Sequence, residues 1–407
     1  MKLPRSAEPI GSNDEGAGAW SRRQMAVRSI IQEGDTKLSV PTASLGVAEP
    51  PTSPVFFNPA AAFNRDVSVA VTEASRGRSF LDSLAGVGAR GVRVANEVAR
   101  HIDVTLVDFN EKSLGYARRS VRLNGVESKC SVIREEANVY LHSRYGRDER
   151  FDYVDVDPFG TPVPFVQGAV KATADGGLIS VTATDTAVLC GVYPNVCRRR
   201  YSSTPLSNHF RHETGLRILL NYCRRTAASL DIGISPVMAH STRHYMRVYA
   251  RIDVGATEAD RSAGNEGFVS ECRSCRHLTA AGSPPSACEK CGGKVRVAGP
   301  LWIGSLADEG LARKAAAACR KKGIDGAARA LESLEGVSEL PPYGYSVESM
   351  CSDLKVPGVS ELRVIEALEK QGHPCRRQPF EKTGLKSSAG YGQVVAVVKE
   401  LAESGRR

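Results

Sequence analysis

Short apolar runs alternate with amphipathic stretches through the first two thirds of the chain, and this alternation predicts the secondary structure. Apolar runs of strand length predict strands over 79–84, 103–108, 130–134, 151–156 and 177–182. Stretches with a helical repeat predict helices over 60–74, 89–100, 111–124, 139–145, 162–174 and 214–230. Two further runs, 232–238 and 245–254, predict strands that finish the sheet as an antiparallel edge. Repeated strand–helix units predict an α/β fold, a mostly parallel sheet with helices on both faces.

The pattern divides the chain into three parts. We predict that residues 1–50, rich in small and turn-forming residues, form a partly flexible extension that is mobile over about its first 15 residues. Within it, 21–33 favours a helix or a strand. Residues 51–254 hold the alternating units, and 255–407 predict a smaller α+β domain. The elements of that last part are a cysteine cluster, helices over 311–322 and 359–371, and a helix or strand over 393–401.

The composition indicates which class of partner the protein binds and in which cellular compartment it works. The net charge of +9 favours a polyanionic partner, nucleic acid more than membrane, although a basic surface that is merely solvated is the alternative. No apolar run approaches the roughly 18 residues that a membrane span needs, and the first twenty residues lack a secretory signal. An odd count of 11 cysteines in such a chain favours a reducing compartment. We therefore predict a cytoplasmic protein that acts as a monomer.

A glycine loop follows the first predicted strand of the alternating region. Asp82-Ser-Leu-Ala-Gly86-Val-Gly88-Ala-Arg-Gly91 contains G-x-G-x-x-G, and Asp108 ends the next strand, where it can bind ribose hydroxyls. NAD and S-adenosylmethionine both suit such a loop, and a tight turn without a ligand is the third alternative. The Asp82 carboxylate favours S-adenosylmethionine, because it can pair with a methionyl amine but would oppose a pyrophosphate.

The run Asp155-Val-Asp157-Pro158-Phe159-Gly closes an apolar strand with groups suited to a nucleobase. The Asp157 carboxylate and the Pro158 carbonyl can accept hydrogen bonds from an exocyclic amine, and Phe159 can stack on the ring. These residues predict methylation of an amino group, with a helix N-cap or a turn residue ahead of Pro158 as the alternative role for Asp157. Asp155 is either a second acid or structural. Phe56 either anchors the core or stacks opposite Phe159 on a flipped base.

Four clustered cysteines predict a metal site. Cys272-x2-Cys275 and Cys288-x2-Cys291 are separated by twelve residues, a spacing that can place four thiolates tetrahedrally around zinc. Four protein ligands leave no open position for water, so the predicted site is structural. A redox pair or an iron–sulfur cluster is the alternative.

Two polar runs have weaker interpretations. His209-Phe-Arg-His212-Glu213 is similar to a metal cluster but lacks a third ligand at a typical spacing, so helix-start or RNA-facing residues fit better. The arginines of 198–200 and 224–225 are candidate phosphate contacts, with a solvated basic face as the equal alternative.

From about Val55 to the C-terminus the chain resembles the archaeal and eukaryotic tRNA (guanine-N2)-dimethyltransferases, which act on guanosine 26. The resemblance is carried by Phe56-Phe-Asn-Pro59, Asn64-Arg65-Asp66, Gly88-Ala-Arg-Gly91, Asp108-Phe-Asn, Asp155-Val-Asp-Pro-Phe-Gly-Thr-Pro162, Thr182-Ala-Thr-Asp-Thr-Ala-Val-Leu-Cys-Gly191 and Gly299-Pro-Leu-Trp-Ile-Gly304. It implies a Rossmann-like class I methyltransferase domain, with a C-terminal domain that grips tRNA and carries the zinc knuckle.

The resemblance also implies roles for single residues. Contacts to the methyl donor fall on Arg65, Arg90, Asp108, Glu136 and Ala137. Asp157 and Pro158 hold the guanine N2 amine, with Phe56 and Phe159 flanking the base. The chain departs from the family at Glu136, where an aspartate is usual, and at Phe57, where a tyrosine is usual. Some members lack the cysteine cluster, which favours a role in folding.

Three hypotheses follow from the sequence. The resemblance favours an S-adenosylmethionine-dependent tRNA methyltransferase that makes N2-methylguanosine and then N2,N2-dimethylguanosine. The glycine loop alone also permits an NAD-dependent dehydrogenase, and the cysteine cluster with the basic charge permits a non-catalytic zinc-containing RNA-binding protein.

Overall fold

The computed structural model describes residues 27–404 except 148, 243 and 382. The mobility predicted for the first 15 residues falls outside the described residues. Within 21–33 the described part is a strand, β1 (Arg28–Glu33), which pairs with β2 (Thr36–Pro41) in an antiparallel hairpin.

The hairpin packs against the α/β domain. Leu38 and Val40 of β2 are fully buried, and the Ser39 amide donates a hydrogen bond to the Ser120 hydroxyl at 2.9 Å. Glu33, at the end of β1, forms ion pairs with Arg65 and Arg93. Part of the predicted extension is thus ordered structure that contributes to the core.

A seven-stranded sheet forms the centre of the molecule, in the order β5-β4-β3-β6-β7-β9-β8. Its strands are β3 (Ser79–Asp82), β4 (Asp103–Asp108), β5 (Cys130–Arg134), β6 (Phe151–Val156), β7 (Thr173–Ala183), β8 (Ile232–Ser241) and β9 (Met246–Val254). Strands β3 to β7 are parallel, and β9 is antiparallel to both β7 and β8. The predicted fold class, including the antiparallel edge, is confirmed.

Helices cover both faces of the sheet. They are α1 (Ala62–Ala74), α2 (Ala89–Glu97), α3 (Glu111–Leu123), α4 (Ala137–Ser143), α5 (Val166–Ala172), α6 (Thr186–Leu189), α7 (Pro194–Tyr201), α8 (Arg211–Ala228) and α9 (Ala256–Ala263), with short 3-10 turns over 42–44, 59–61 and 127–129. The helix predicted over 162–174 ends early, because β7 begins at Thr173 and bulges at Gly176, whose φ is 72°. A glycine takes this left-handed conformation with little strain.

The C-terminal part begins with a small sheet. Strands β10 (Glu266–Cys272), β11 (Leu278–Ala281) and β12 (Val295–Trp302) are antiparallel, in the order β11-β10-β12. The remaining elements are α10 (Glu309–Lys321), α11 (Asp325–Glu332), α12 (Val347–Leu354), α13 (Glu361–Lys370), β13 (Cys375–Arg377), β14 (Leu385–Ser387) and α14 (Tyr391–Ser404). The ambiguous stretch over 393–401 is helical. Among the described helices, none has the length and apolar character to cross a membrane.

Helix α8 joins the two parts through buried charge. Glu213 is fully buried and accepts hydrogen bonds from Arg217 at 2.7 Å, from Lys386 at 2.6 Å and from Gln378 at 2.7 Å. The pKa of Glu213 is lowered to about 2, because Lys386 and Arg217 outweigh the penalty of burial. His212 contacts Glu381 at 2.8 Å. His212 and Glu213 therefore lie at the start of α8 and take part in packing between the two parts, in line with the preferred helix-start interpretation.

Candidate active site and cysteine cluster

The glycine loop lies at the carboxyl ends of β3 and β4. Gly86 and Gly88 have φ values of 54° and 74°, and a Cβ on Gly88 would lie 2.8 Å from Ala117. The Gly86 amide donates to the Asp108 carboxylate at 2.8 Å. The structure thus brings together Gly86, Gly88 and Asp108, as the sequence predicted, and a Cβ on Gly86 would meet no atom within 4 Å.

Asp82 lies beneath this loop, almost fully buried, and accepts a hydrogen bond from the Gly91 amide at 3.2 Å. Burial raises the pKa of Asp82 to about 7, and the neighbouring Asp155 carboxylate adds to the shift. A cationic group bound beside Asp82 would favour its ionised form.

Asp157 follows the end of β6, at the middle of the sheet. Arg90 of α2 donates through Nη2 to the Asp157 Oδ2 atom, and the Asp157 side chain is 28% exposed. Within the described part of the chain, Oδ1 has no recorded partner. The next helix, α5, starts nine residues later at Val166, so Asp157 is not a helix cap. The arrangement leaves one oriented carboxylate oxygen at the carboxyl ends of the parallel strands, a region that we call the cleft.

A buried charge network supports Arg90. Asp155 is fully buried and forms ion pairs with Arg90, at 3.1 Å from Nε, and with Arg247 of β9. Burial alone would raise the pKa of Asp155, but the Arg247 and Arg90 guanidinium groups hold it below its ordinary value. Asp155 is therefore structural and not a second acid for a substrate.

Arg247 is the centre of this network and has no exposed surface. It donates to Thr182, to Ser180 at 2.8 Å and to the Tyr249 hydroxyl at 2.8 Å. Arg247 is not among the site residues predicted from the sequence. The available signal was that Arg247 is one of two arginines inside the strand Met246–Val254, because a charge buried in a strand requires partners.

The two candidate stacking residues touch each other. The Phe56 and Phe159 rings meet edge to face, with centroids 4.7 Å apart and planes at 79°. Phe159 is 66% exposed, whereas Phe57 is buried in the core. A base between two rings needs about 7 Å, two contact distances of about 3.5 Å. A sandwich therefore requires the Phe56 and Phe159 rings to separate.

The other residues implied as donor contacts occupy the same edge of the sheet with existing partners. Arg65 binds Glu33 through two hydrogen bonds of 2.6 Å. Glu136 accepts from the Val139 amide at 2.9 Å and so caps α4, which starts at the buried Ala137. The Glu135 amide donates to the Asp108 carbonyl at 3.3 Å, which holds this cap beside the end of β4.

The four clustered cysteines converge. All four sulfur atoms lie within 4.8 Å of one another, with Cys272–Cys291 at 3.5 Å and Cys275–Cys288 at 3.6 Å. Tetrahedral zinc with Zn–S bonds of about 2.3 Å requires sulfurs about 3.8 Å apart, so the arrangement fits the metal.

The two cysteine pairs have the same backbone geometry. In each pair the residue after the second cysteine has a positive φ, 59° at Arg276 and 67° at Gly292, and its amide donates to the carbonyl of the first cysteine. The Cys275 and Ser274 amides also donate to the Cys272 sulfur at 3.4 Å. These amide donors, that of Cys275 foremost, lower the pKa of the Cys272 thiol, whereas burial and the other three sulfurs raise the pKa of the Cys275 thiol.

The candidate phosphate contacts divide into two groups. Arg224 is buried and paired with Glu266, so it is not available to RNA. The arginines of α7 are exposed, and Arg200 pairs with Asp185 at 3.0 Å. Tyr201 at the end of α7 donates to Asp185 at 2.7 Å and contacts the Thr161 hydroxyl at 3.0 Å. Helix α7 is thus attached to the loop that presents Phe159.

Comparisons with known proteins give one consistent result. The profile of the family described as N2,N2-dimethylguanosine tRNA methyltransferase matches residues 34–399. The tRNA (guanine(26)-N(2))-dimethyltransferase of Methanothermobacter thermautotrophicus is 35% identical over 382 residues, 91% of this chain and 98% of that protein. The enzyme of the same description from Methanopyrus kandleri is 36% identical over 380 residues, covering 92% and 97%. The structure of Trm1 from Pyrococcus horikoshii with S-adenosyl-L-methionine superposes with a TM-score of 0.78 at 28% identity, covering 91% of this chain and 99% of that one.

Proposed function

The chain belongs to the N2,N2-dimethylguanosine tRNA methyltransferase family, and we propose that Asp157, Pro158 and Phe159 perform the family's chemistry in it. The protein is a tRNA (guanine26-N2)-dimethyltransferase, which transfers methyl groups from S-adenosylmethionine to the N2 amine of guanosine 26. The dehydrogenase hypothesis is therefore wrong. The observation that carries the residue assignment is that Asp157 Oδ1 has no hydrogen-bond partner among the residues that the structure describes.

The guanine N2 amine needs activation, because its lone pair is delocalised into the ring. Bound S-adenosylmethionine supplies an electrophilic methyl group on a sulfonium. We assign Asp157 Oδ1 and the Pro158 carbonyl as acceptors of the two N–H bonds, which orients the nitrogen and returns electron density to it. When the N–CH₃ bond forms and the S–CH₃ bond breaks, the nitrogen loses a proton to Asp157. The product keeps one N–H, which permits the second transfer.

Arg90 positions the catalytic carboxylate. Because Arg90 binds Oδ2 and is itself held by Asp155, the Asp157 carboxylate has a fixed orientation. Phe159 offers an exposed face on which the guanine stacks, and Phe56 covers the other side once the rings separate. The aromatic pair then excludes water from the reacting nitrogen.

The donor site is proposed at the adjoining loop. Gly86 and Gly88 let the methionyl part approach the backbone, Asp82 binds its ammonium group and Asp108 binds the ribose. The resemblance assigns Arg65, Arg90, Glu136 and Ala137 to the same site. Arg65 and Arg90 already bind carboxylates, so their contribution to donor binding includes holding the walls of the pocket.

We propose that tRNA docks across α7. The exposed arginines Arg198 and Arg199 have no carboxylate partner among the described residues, and the exposed Val192 and Tyr193 precede them. Since α7 is tied to the Phe159 loop through Tyr201, phosphates bound there lie beside the base-binding cleft. The C-terminal domain supplies the rest of the proposed grip.

Zinc at the four cysteines is proposed as a structural ion. The thiolates of Cys272, Cys275, Cys288 and Cys291 would fill its coordination sphere, so the ion supports folding and takes no part in methyl transfer. The same free thiols support a reducing, cytoplasmic location.

Asp157→Asn tests the catalytic assignment. The amide retains the shape but removes the charge and the proton acceptor, so methyl transfer to unmodified tRNA should fall at least about 100-fold. Labelled donor with nucleoside analysis measures the N2-methylguanosine formed, and calorimetry checks that donor binding is retained. Asp175→Asn is the matched control, because Asp175 caps the opposite edge of the sheet through the Val254 amide at 2.9 Å. An Asp157→Asn enzyme as active as Asp175→Asn would refute the assignment.

A further inference from the structure

Two polar side chains lie on the side of Asp157 that faces away from the donor loop. In the strand order the donor loop follows β3 and β4, Asp157 follows β6, and β7, β9 and β8 continue on the other side. Tyr245 immediately precedes β9, and His240 is the next-to-last residue of β8. Both therefore lie at the active-site edge of the sheet, on the half that the methyl donor does not occupy.

The strand register places these side chains on the same face as Asp157. Asp155 pairs with Ser180, and Ser180 with Tyr249. Two residues nearer the carboxyl edge of the sheet, Thr182 of β7 pairs with Arg247 of β9, which pairs with His240 of β8. Asp157, two residues after Asp155, continues this row beyond the end of β6. Three strand spacings of about 4.8 Å separate the ends of this row by about 14 Å, and side chains reaching inward from both ends can enclose a base.

These two side chains have polar atoms without partners, although both residues are only 7% exposed. Among the described residues, the Tyr245 hydroxyl and both ring nitrogens of His240 lack a hydrogen bond. Tyr249 on the same face is bonded, to Ser68 at 3.2 Å and to Arg247 at 2.8 Å, whereas the buried Tyr153 hydroxyl of β6 also lacks a partner. Buried polar groups normally have partners, so these atoms indicate a ligand.

Packing fixes both rings. The His240 ring meets Tyr245 edge to face at 5.6 Å, stacks on Tyr249 at 5.9 Å and contacts Phe63 of α1 at 5.5 Å. Burial, followed by the charges of Arg247 and Arg90, lowers the pKa of His240 well below its ordinary value, so the ring is neutral and carries one N–H. Burial raises the pKa of Tyr245, and the Asp157 charge contributes to the shift. The pair therefore presents two neutral donors near Asp157.

We propose that Tyr245 and His240 form a purine-recognition subsite, in which the Tyr245 hydroxyl donates to guanine O6 and the His240 N–H donates to N7. This inference rests on the proposed role of Asp157, which fixes the opposite end of the base at N2. Guanine presents two acceptors at O6 and N7, whereas adenine presents an amine in place of O6. Two donors at this position select guanine.

Base analogues in the tRNA test the subsite. A tRNA with 2-aminopurine at position 26 keeps the reacting amine and lacks O6. Tyr245→Phe should therefore lower kcat/KM about fivefold for guanosine-26 tRNA. For the 2-aminopurine tRNA the kcat/KM of this variant should stay within about twofold of the wild-type value. His240→Phe should show the same selectivity against 7-deazaguanosine, which lacks N7. Tyr249→Phe, on the same strand and face, is the control and should lower kcat/KM by the same factor with every tRNA.

The outcomes are distinct. A Tyr245→Phe enzyme that loses the same factor with both tRNAs, or none with either, overturns the subsite. Melting temperature and donor binding show whether each variant is folded. If a variant does not fold, the wild-type enzyme provides the test: it should bind guanosine-26 tRNA about fivefold more tightly than the 2-aminopurine tRNA. Equal Kd values for the two tRNAs overturn the proposal. Failure of the Asp157 assignment appears separately, as an Asp157→Asn enzyme that methylates both tRNAs.

Discussion

Asp155→Asn tests whether the buried charge network organises the active site. Asp155 is the shared partner of Arg90 and Arg247, and none of its surface is exposed. Asparagine keeps its size but removes the charge, which leaves two guanidinium groups buried together with one compensating carboxylate fewer. The remaining amide oxygen can still accept the 2.6 Å hydrogen bond from the Ser180 hydroxyl, so the main loss is one of charge. The perturbation is confined to the interior behind Asp157.

The expected cost is large because the pair is inaccessible to water. Removing one partner of a buried ion pair costs about 3–5 kcal/mol, which corresponds to a melting temperature lower by roughly 6–15 °C at about 2–3 °C per kcal/mol. Arg90 also loses the anchor that directs it toward Asp157. A displacement of about 1 Å at the catalytic carboxylate can cost about 100-fold in rate, so kcat should fall while KM for the methyl donor changes little.

Asp152→Asn is the matched control, since Asp152 lies on the same strand three residues earlier. Its carboxylate accepts from the Arg78 amide at 2.7 Å and the Ser79 amide at 3.0 Å, at the opposite end of the sheet. We expect a loss of about 1 kcal/mol and an unchanged kcat. Thermal unfolding and methyl-transfer kinetics of both variants measure the difference. If Asp155→Asn were no less stable and no slower than Asp152→Asn, the network would not organise the site.

Two further predictions concern the metal and the tRNA. Cys272→Ser with Cys288→Ser should abolish stoichiometric zinc in elemental analysis and lower the melting temperature while leaving donor affinity unchanged; lost donor binding in a folded variant would contradict a structural site. Arg198→Ala with Arg199→Ala should raise KM for tRNA without changing kcat and should reduce the slope of log affinity against log salt by about 0.7–0.9 per lost phosphate contact; an unchanged slope would remove α7 from the tRNA surface.

The regular pattern of the chain made the sheet predictable. Most residues of β3, β4 and β6 taken together are apolar because helices cover both faces of this parallel sheet, and each of these strands is followed by a stretch with a helical repeat. The cysteine cluster was equally predictable, since metal coordination restricts ligand spacing. The glycine loop and Asp108 came together because carboxyl ends of neighbouring parallel strands meet at one edge.

Contacts between distant segments were not predictable from local pattern. Arg247 meets Asp155 across 92 residues, and neither position has a neighbour in sequence that announces the other. The β1–β2 hairpin was obscured in the same way, because its buried Thr36 depends on a 2.8 Å hydrogen bond to Glu97, 61 residues away. The sequence pattern indicates which residues are apolar, whereas partners for buried polar groups are set by topology.

The charge balance around Asp82 links donor binding to pH. Three carboxylates, Asp82, Asp155 and Asp157, share two guanidinium groups, and burial raises the pKa of Asp82 to about 7. A cationic donor bound at Asp82 favours the ionised carboxylate, so binding should release a proton below pH 7. Donor affinity should therefore rise with pH through about 7 and level off above it. Calorimetry in buffers of different ionisation enthalpy measures the proton release, and Asp82→Asn should give weaker, pH-independent binding. The decisive range is about pH 6 to 8, roughly one unit on either side of the Asp82 pKa. If the donor affinity of the wild-type enzyme stayed constant over this range, Asp82 would not bind the donor's ammonium group.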